Sequence, residues 1–74
     1  MTEWERELAR HATCWPERYR NYFAADPDGA DDQAWARMVD KGFAYVRREP
    51  GDPWSYRIYA VTQLGLSALE GAVP

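Results

Sequence analysis

Cysteine and histidine are almost missing from this chain: Cys14 and His11 are each the single residue of their type among 74. One cysteine excludes an intramolecular disulfide and suits a reducing compartment. His11 and Cys14, at i, i+3 on one predicted helix, fall short of the tetrahedral ligand set that a structural zinc site requires, so no metal is expected. As a Cys–His nucleophile the same pair lacks a cleft, an oxyanion hole and an orienting third group. No Gly-rich phosphate loop or dinucleotide fingerprint is present. Glu3, Glu5, Glu7 and Glu17 form no defined pair for general acid work, and Asp26, Asp28, Asp31 and Asp32 lack the Gly-then-Glu spacing of a calcium hand. These absences together predict a protein that is not an enzyme and carries no cofactor.

Long apolar runs are missing too. Nothing approaches the roughly 18 residues of a membrane span, and the opening MTEWEREL is charged where a secretory signal is apolar, so a soluble, cytoplasmic protein without membrane partners is expected. Basic residues are in deficit, nine against 12 acidic for a net charge of -3. Binders of duplex DNA are usually clearly basic, and this sum argues mildly against that role.

Aromatic residues, by contrast, are plentiful: four Trp, five Tyr and two Phe. A chain of 74 residues has room for one domain and buries a small fraction of its surface. Large aromatic side chains are an available means of compensating, and they predict an aromatic core.

Residues 3 to 15 place Trp4, Leu8, His11 and Trp15 on one helical stripe. Thr2 and Glu5 fit a capping box, and Pro16 should end this helix near Cys14. The segment ERYRNYFAA reads as a short helical turn with Tyr19, Tyr22 and Phe23 on one face and Arg18 and Arg20 outside. DPDGADD, residues 26 to 32, is a loop on composition. Asp31 or Asp32 can then cap a second helix through QAWARMVDK, with Trp35, Met38 and Val39 inward and Gly42 as a left-handed C-cap that folds Phe43 back.

Beyond Gly42 the apolar period changes from helical to alternating. FAYVRRE and SYRIYAV, joined by the turn-forming PGDPW, read as an antiparallel hairpin with a loop of about six residues. Its expected inner set is Phe43, Tyr45, Tyr56 and Ile58, which a register error of one residue would expose. Thr62 caps a closing helix through QLGLSALEG, with Leu66 and Leu69 facing the core and Gly65 allowing close approach of another element. The terminal GAVP is expected to fray.

The stretch MVDKGFAYVRREPGDPWSYRIYAVTQLGLSAL, residues 38 to 69, resembles the end of the winged-helix domains of MarR-type and related bacterial regulators. That resemblance implies a DNA-recognition helix before Gly42 and a two-stranded wing whose tip contacts phosphate or minor groove. A looser resemblance, carried by Tyr19-Arg20-Asn21-Tyr22-Phe23, Val61-Thr62 and Gly65, is to short proteins encoded by bacteriophages and prophages. It implies an accessory role, including inhibition of bacterial defence systems by binding host proteins, as anti-CRISPR proteins do.

The expected fold is therefore α+β, a small winged-helix-like domain over residues 1 to 74, ordered α-α-β-β-α with a two-stranded antiparallel wing. If the helix before Gly42 enters a groove, Gln33, Arg37 and Lys41 are its contacts, set against Asp31, Asp32 and Asp40. In the wing, Arg47, Arg48 and Arg57 either bind a partner or form the solvated face of a hairpin, pairing with Glu49 or Asp52. Trp54, in a Pro-flanked turn, is either a partner-binding hot spot or folds back over Tyr56. The expected function is engagement of a host protein through Arg47, Arg48, Trp54 and Arg57. A duplex-DNA regulator is the alternative, and a homodimeric assembly protein is a third reading because so small a core gains from a partner.

Overall fold

The computed structural model describes residues 1–71, and the fraying expected of the terminal GAVP lies outside the described residues from position 72 onward. The elements run α1 (Glu3–Thr13), β1 (Phe23–Ala25), α2 (Ala30–Asp40), β2 (Ala44–Arg48), β3 (Arg57–Val61) and α3 (Gln63–Gly71). The fold is α+β: three helices lie against one face of a three-stranded antiparallel sheet of order β1-β3-β2.

α1 starts where the sequence indicates. Thr2 Oγ1 accepts from the Glu5 amide at 3.1 Å while Glu5 Oε1 accepts from the Thr2 amide at 3.1 Å, so two orphan donors of the first turn are satisfied reciprocally. It ends at Cys14, which is left-handed at φ 54° and ψ 48°. The buried stripe is rotated from the one expected: Glu5, Leu8, Ala9, Ala12 and Thr13 face inward, whereas Trp4 is half exposed and His11 is exposed. Small residues on this face let α1 approach its neighbours closely, and the large Trp4 is left outside.

ERYRNYFAA is not helical. Its last three residues form β1, which pairs with β3 through Phe23↔Tyr59, Ala24↔Ile58 and Ala25↔Arg57. An isolated two-stranded hairpin leaves both faces and both edges poorly covered, and β1 satisfies the free edge of β3. The Asn21 side chain extends that pairing by one step, donating to the Val61 carbonyl at 3.0 Å and accepting from the Val61 amide at 2.8 Å. The expected two-stranded unit is thus a three-stranded sheet.

α2 begins at Ala30, earlier than expected, with Gly29 at the N-cap. Asp32 is therefore not the cap; it lies in the first turn, buried, and accepts from the Asp28 amide at 2.9 Å. Trp35 and Met38 are fully buried. The chain leaves the helix through Gly42 at φ 84°, with the Gly42 amide on the Val39 carbonyl at 3.0 Å and the Phe43 amide on the Met38 carbonyl at 2.8 Å.

The core is aromatic at its centre. Trp35 stacks on Tyr59 with centroids 5.4 Å apart, and Phe23 packs against Trp35 in a tilted arrangement at 5.5 Å. Thr62 then caps α3, accepting from the Gly65 amide at 3.0 Å while its hydroxyl donates to the Gly42 carbonyl at 2.6 Å. Leu69 is buried, Leu66 packs at the core margin, and Gly65 lies so close to the Phe43 carbonyl that a β-carbon would meet it at 2.2 Å.

Candidate functional site

The face of the sheet away from the helices carries the most unusual surface of the molecule, and strand pairing determines which residues reach it. Tyr59 and Val61 of β3 face the core, so Ile58 and Ala60 alternate to the other side. On β2, Ala44 and Val46 face the core and Tyr45 points outward. The expected inner set was displaced by one residue at Tyr45, Tyr56 and Ile58: Tyr45 is 47% and Tyr56 43% exposed. Phe43 does pack against the core margin.

A bulge changes the alternation next. Val46 pairs with Tyr59 and Arg48 with Ile58, consecutive residues of β3, so Arg47 is an extra residue in the bulged strand. The side chain of Arg47 reaches from β2 to the Asn21 carbonyl at 3.1 Å, beyond β3, and Arg48 follows on the Ile58 row. Both arginines therefore serve the outer face.

Beyond the strands, Trp54 is 55% exposed and Tyr22, just before β1, is 45% exposed. Tyr22, Ala24, Arg48, Trp54, Tyr56 and Ile58 line an open groove of about 490 Å³. Its floor is the small Ala24 and Ile58, adjacent on paired strands, and its walls are aromatic. Arg20 stacks its guanidinium over the Tyr22 ring at 5.1 Å.

Charge is divided unevenly over the molecule. Arg57 has the opposite parity to Tyr56 and Ile58 and turns to the helix side, where it bonds Asp32 at 2.5 Å and Glu49 at 2.9 Å. Tyr59 completes this cluster, its hydroxyl donating to Asp32 Oδ1 at 2.6 Å. Burial alone would raise the Asp32 carboxyl, but the bonds from Tyr59, the Asp28 amide and Arg57 outweigh it and hold the group below the usual aspartate value. Arg57 is thus bound within the protein rather than free on one surface with Arg47 and Arg48.

The residues expected on a groove-entering helix are similarly occupied. Lys41 Nζ lies 3.1 Å from Glu5 Oε2 and Arg37 Nε 3.9 Å from it, and Gln33 donates to the Asp28 carbonyl at 3.1 Å. Burial raises the Glu5 carboxyl, and the Thr2 amide and Lys41 pull it further the other way, so it stays ionised. A single carboxylate from α1 is thus shared by Arg37 of α2 and Lys41 at its C-cap.

Tyr22, Tyr45 and Tyr56 did not stand out in the sequence as surface residues, whereas Arg20 was expected outside. The signal that groups them is pairing of β1 with β3, which three residues of FAA do not announce. Among the described residues no group of three or more His, Cys, Asp or Glu side chains is placed to hold a metal ion, and no helix is long and apolar enough to cross a membrane. Compared with protein-family models, curated proteins and solved structures, the chain matches none.

Proposed function

We propose that this chain is a non-catalytic binding protein of winged-helix type, of the accessory kind encoded by phages and prophages, which engages a host protein through the outer face of its sheet. Inhibition of a defence complex, in the manner of an anti-CRISPR protein, is the activity this reading assigns. The order of α2, hairpin and α3 supports the winged-helix part. The observation that carries the binding role is the uncovered row of Tyr22, Trp54 and Tyr56 around the groove beside Arg48. Exposed Trp, Tyr and Arg grouped in this way have the composition of interface hot spots.

Duplex DNA is the weaker partner. Arg37 and Lys41 share the Glu5 carboxylate, and Arg57 answers Asp32 and Glu49, so α2 and the helix side of the hairpin present few free cations to phosphates, while Arg47 and Arg48 lie on the sheet's other face. Phosphate neutralisation is the main source of affinity in that class.

The test is a phage-challenge assay in bacteria carrying an active CRISPR system, with the wild-type chain and a Trp54→Ala/Tyr56→Ala variant expressed to equal levels. Wild type should restore plaque formation and retain a host protein on purification, and the variant should do neither while keeping its circular dichroism spectrum. Tight binding of random duplex DNA with a steep salt dependence, in place of protein capture, would overturn the reading.

A further inference from the structure

We infer that the occupant of the outer groove is an acidic protein segment bearing one apolar anchor residue. This rests on the binding role proposed for that face and specifies the chemistry of what fills it. The argument begins with where positive charge remains uncompensated. Arg10, Arg18, Arg37, Lys41 and Arg57 each lie within ion-pair distance of a carboxylate. Among the described residues Arg6, Arg20, Arg47 and Arg48 do not. Arg6 belongs to the helical layer and Arg20 reaches back to it, its Nη2 donating to the His11 carbonyl at 3.1 Å; Arg47 and Arg48 lie on the outer face of the sheet.

A protein of net charge -3 therefore places two of its four unpaired cations, Arg47 and Arg48, on the face that exposes Tyr22, Tyr45, Trp54 and Tyr56. Arg48 lines the groove with Trp54, Tyr56 and Tyr22, Arg20 is stacked behind Tyr22, and Arg47 holds its place through the Asn21 carbonyl. The bulge is what brings Arg47 and Arg48 to this side together. An apolar side chain seated on Ala24 and Ile58 between the aromatic walls, with carboxylates beside it, satisfies both properties at once. Complementary charge also steers the encounter and sets register.

Other occupants fit less well. A second copy of the chain, related by a two-fold axis through this face, would bring Arg47 and Arg48 toward their own counterparts. Single-stranded nucleic acid stacks on such rings too, but it needs a groove of cations that tracks its backbone, and among the residues lining this groove Arg48 alone is cationic.

The experiment is selection of short random peptides, displayed on phage, against the immobilised full chain. The selected peptides are then synthesised and measured on wild type, Trp54→Ala, Arg48→Glu and the milder Arg48→Gln, each checked for an unchanged thermal midpoint. Asp and Glu should be enriched around one apolar position. Binding should be lost with Trp54→Ala, weakened roughly tenfold by Arg48→Glu and reduced by added salt. Peptides that need Trp54 but show no acidic enrichment and ignore both Arg48 variants would overturn this inference and leave the binding face standing. Failure to select any Trp54-dependent peptide would remove both. A labelled oligothymidylate that binds more tightly than every peptide, and depends on Trp54 and Arg48, would assign the groove to nucleic acid instead.

Discussion

Gly65 shows how much of this small fold rests on single positions. A β-carbon there would stand 2.2 Å from the Phe43 carbonyl oxygen and 2.6 Å from Val61 Cγ1, whereas at Gly51 it would meet nothing within 4 Å. The first site joins α3 to the start of β2, and the Phe43 carbonyl in question also accepts the Thr62 amide at 2.9 Å. Gly65→Ala should therefore push backbone apart and lower stability by about 1–3 kcal/mol, the usual cost of overpacking. Gly51→Ala should change little. Thermal unfolding of the two variants checks this, since about 1 kcal/mol moves the midpoint by roughly 4–8 °C in a domain of this size. Equal midpoints would mean that the α3–β2 approach adjusts freely. Close approach at Gly65 was readable from the sequence, because a glycine inside an apolar helical pattern has few other reasons to be there.

At the level of elements, signals that are local in sequence were legible and those that depend on pairing were not. The capping box at Thr2, the stop near Cys14, the left-handed exit at Gly42 and the Thr62 cap are each written within a few consecutive residues, and each is present. β1 is different. Three residues carry no usable period, and Tyr19, Tyr22 and Phe23 can mimic a helical face until β3 is there to pair with them. The inner face of the hairpin failed for a related reason: its apolar residues occupy both parities, so pattern alone cannot choose between Tyr45 and Val46. α1 misled through residue size, because its buried stripe is built from alanines and from Glu5, a carboxylate whose partner Lys41 lies 36 positions away. The candidate site inherits these limits. Trp54 and Arg48 were recognisable as hairpin surface, but Tyr22 joins them only through the sheet.

That dependence on β1 can be measured. The Asn21 amide group serves both the amide and the carbonyl of buried Val61, and its own carbonyl anchors Arg47. Asn21→Ala leaves two backbone groups near the core without partners, at a cost of about 1–3 kcal/mol each if water does not replace them. Hydrogen exchange should accelerate at Val61 and along β1, and less in α2. Uniform loss of protection would indicate that β1 is not a separable unit.

Across the whole molecule, buried ionisable groups define a pH window of stability. Glu5 and Asp32 sit below their ordinary values of 4.5 and 3.8, so the folded protein binds fewer protons at these sites than the unfolded chain. Their contribution is complete above those ordinary values and is lost as pH falls through the lowered folded ones. Tyr59 behaves oppositely. Burial first, and then its bond to Asp32, push its hydroxyl from 10.0 up to about 12. The folded state therefore retains that proton more firmly, and this contribution is present below pH 10.0 and declines as pH rises toward about 12. Urea midpoints should form a plateau through neutral pH with a fall on each side. Tyr59→Phe should lower the plateau by about 1 kcal/mol, because Asp32 loses a donor, and should flatten the alkaline limb. The acid limb should persist in that variant, since Glu5 still holds Lys41 and Asp32 still holds Arg57. An alkaline limb unchanged by Tyr59→Phe would place its origin in exposed side chains instead. The Asp32–Tyr59–Arg57 cluster would then matter only for packing α2 against the sheet.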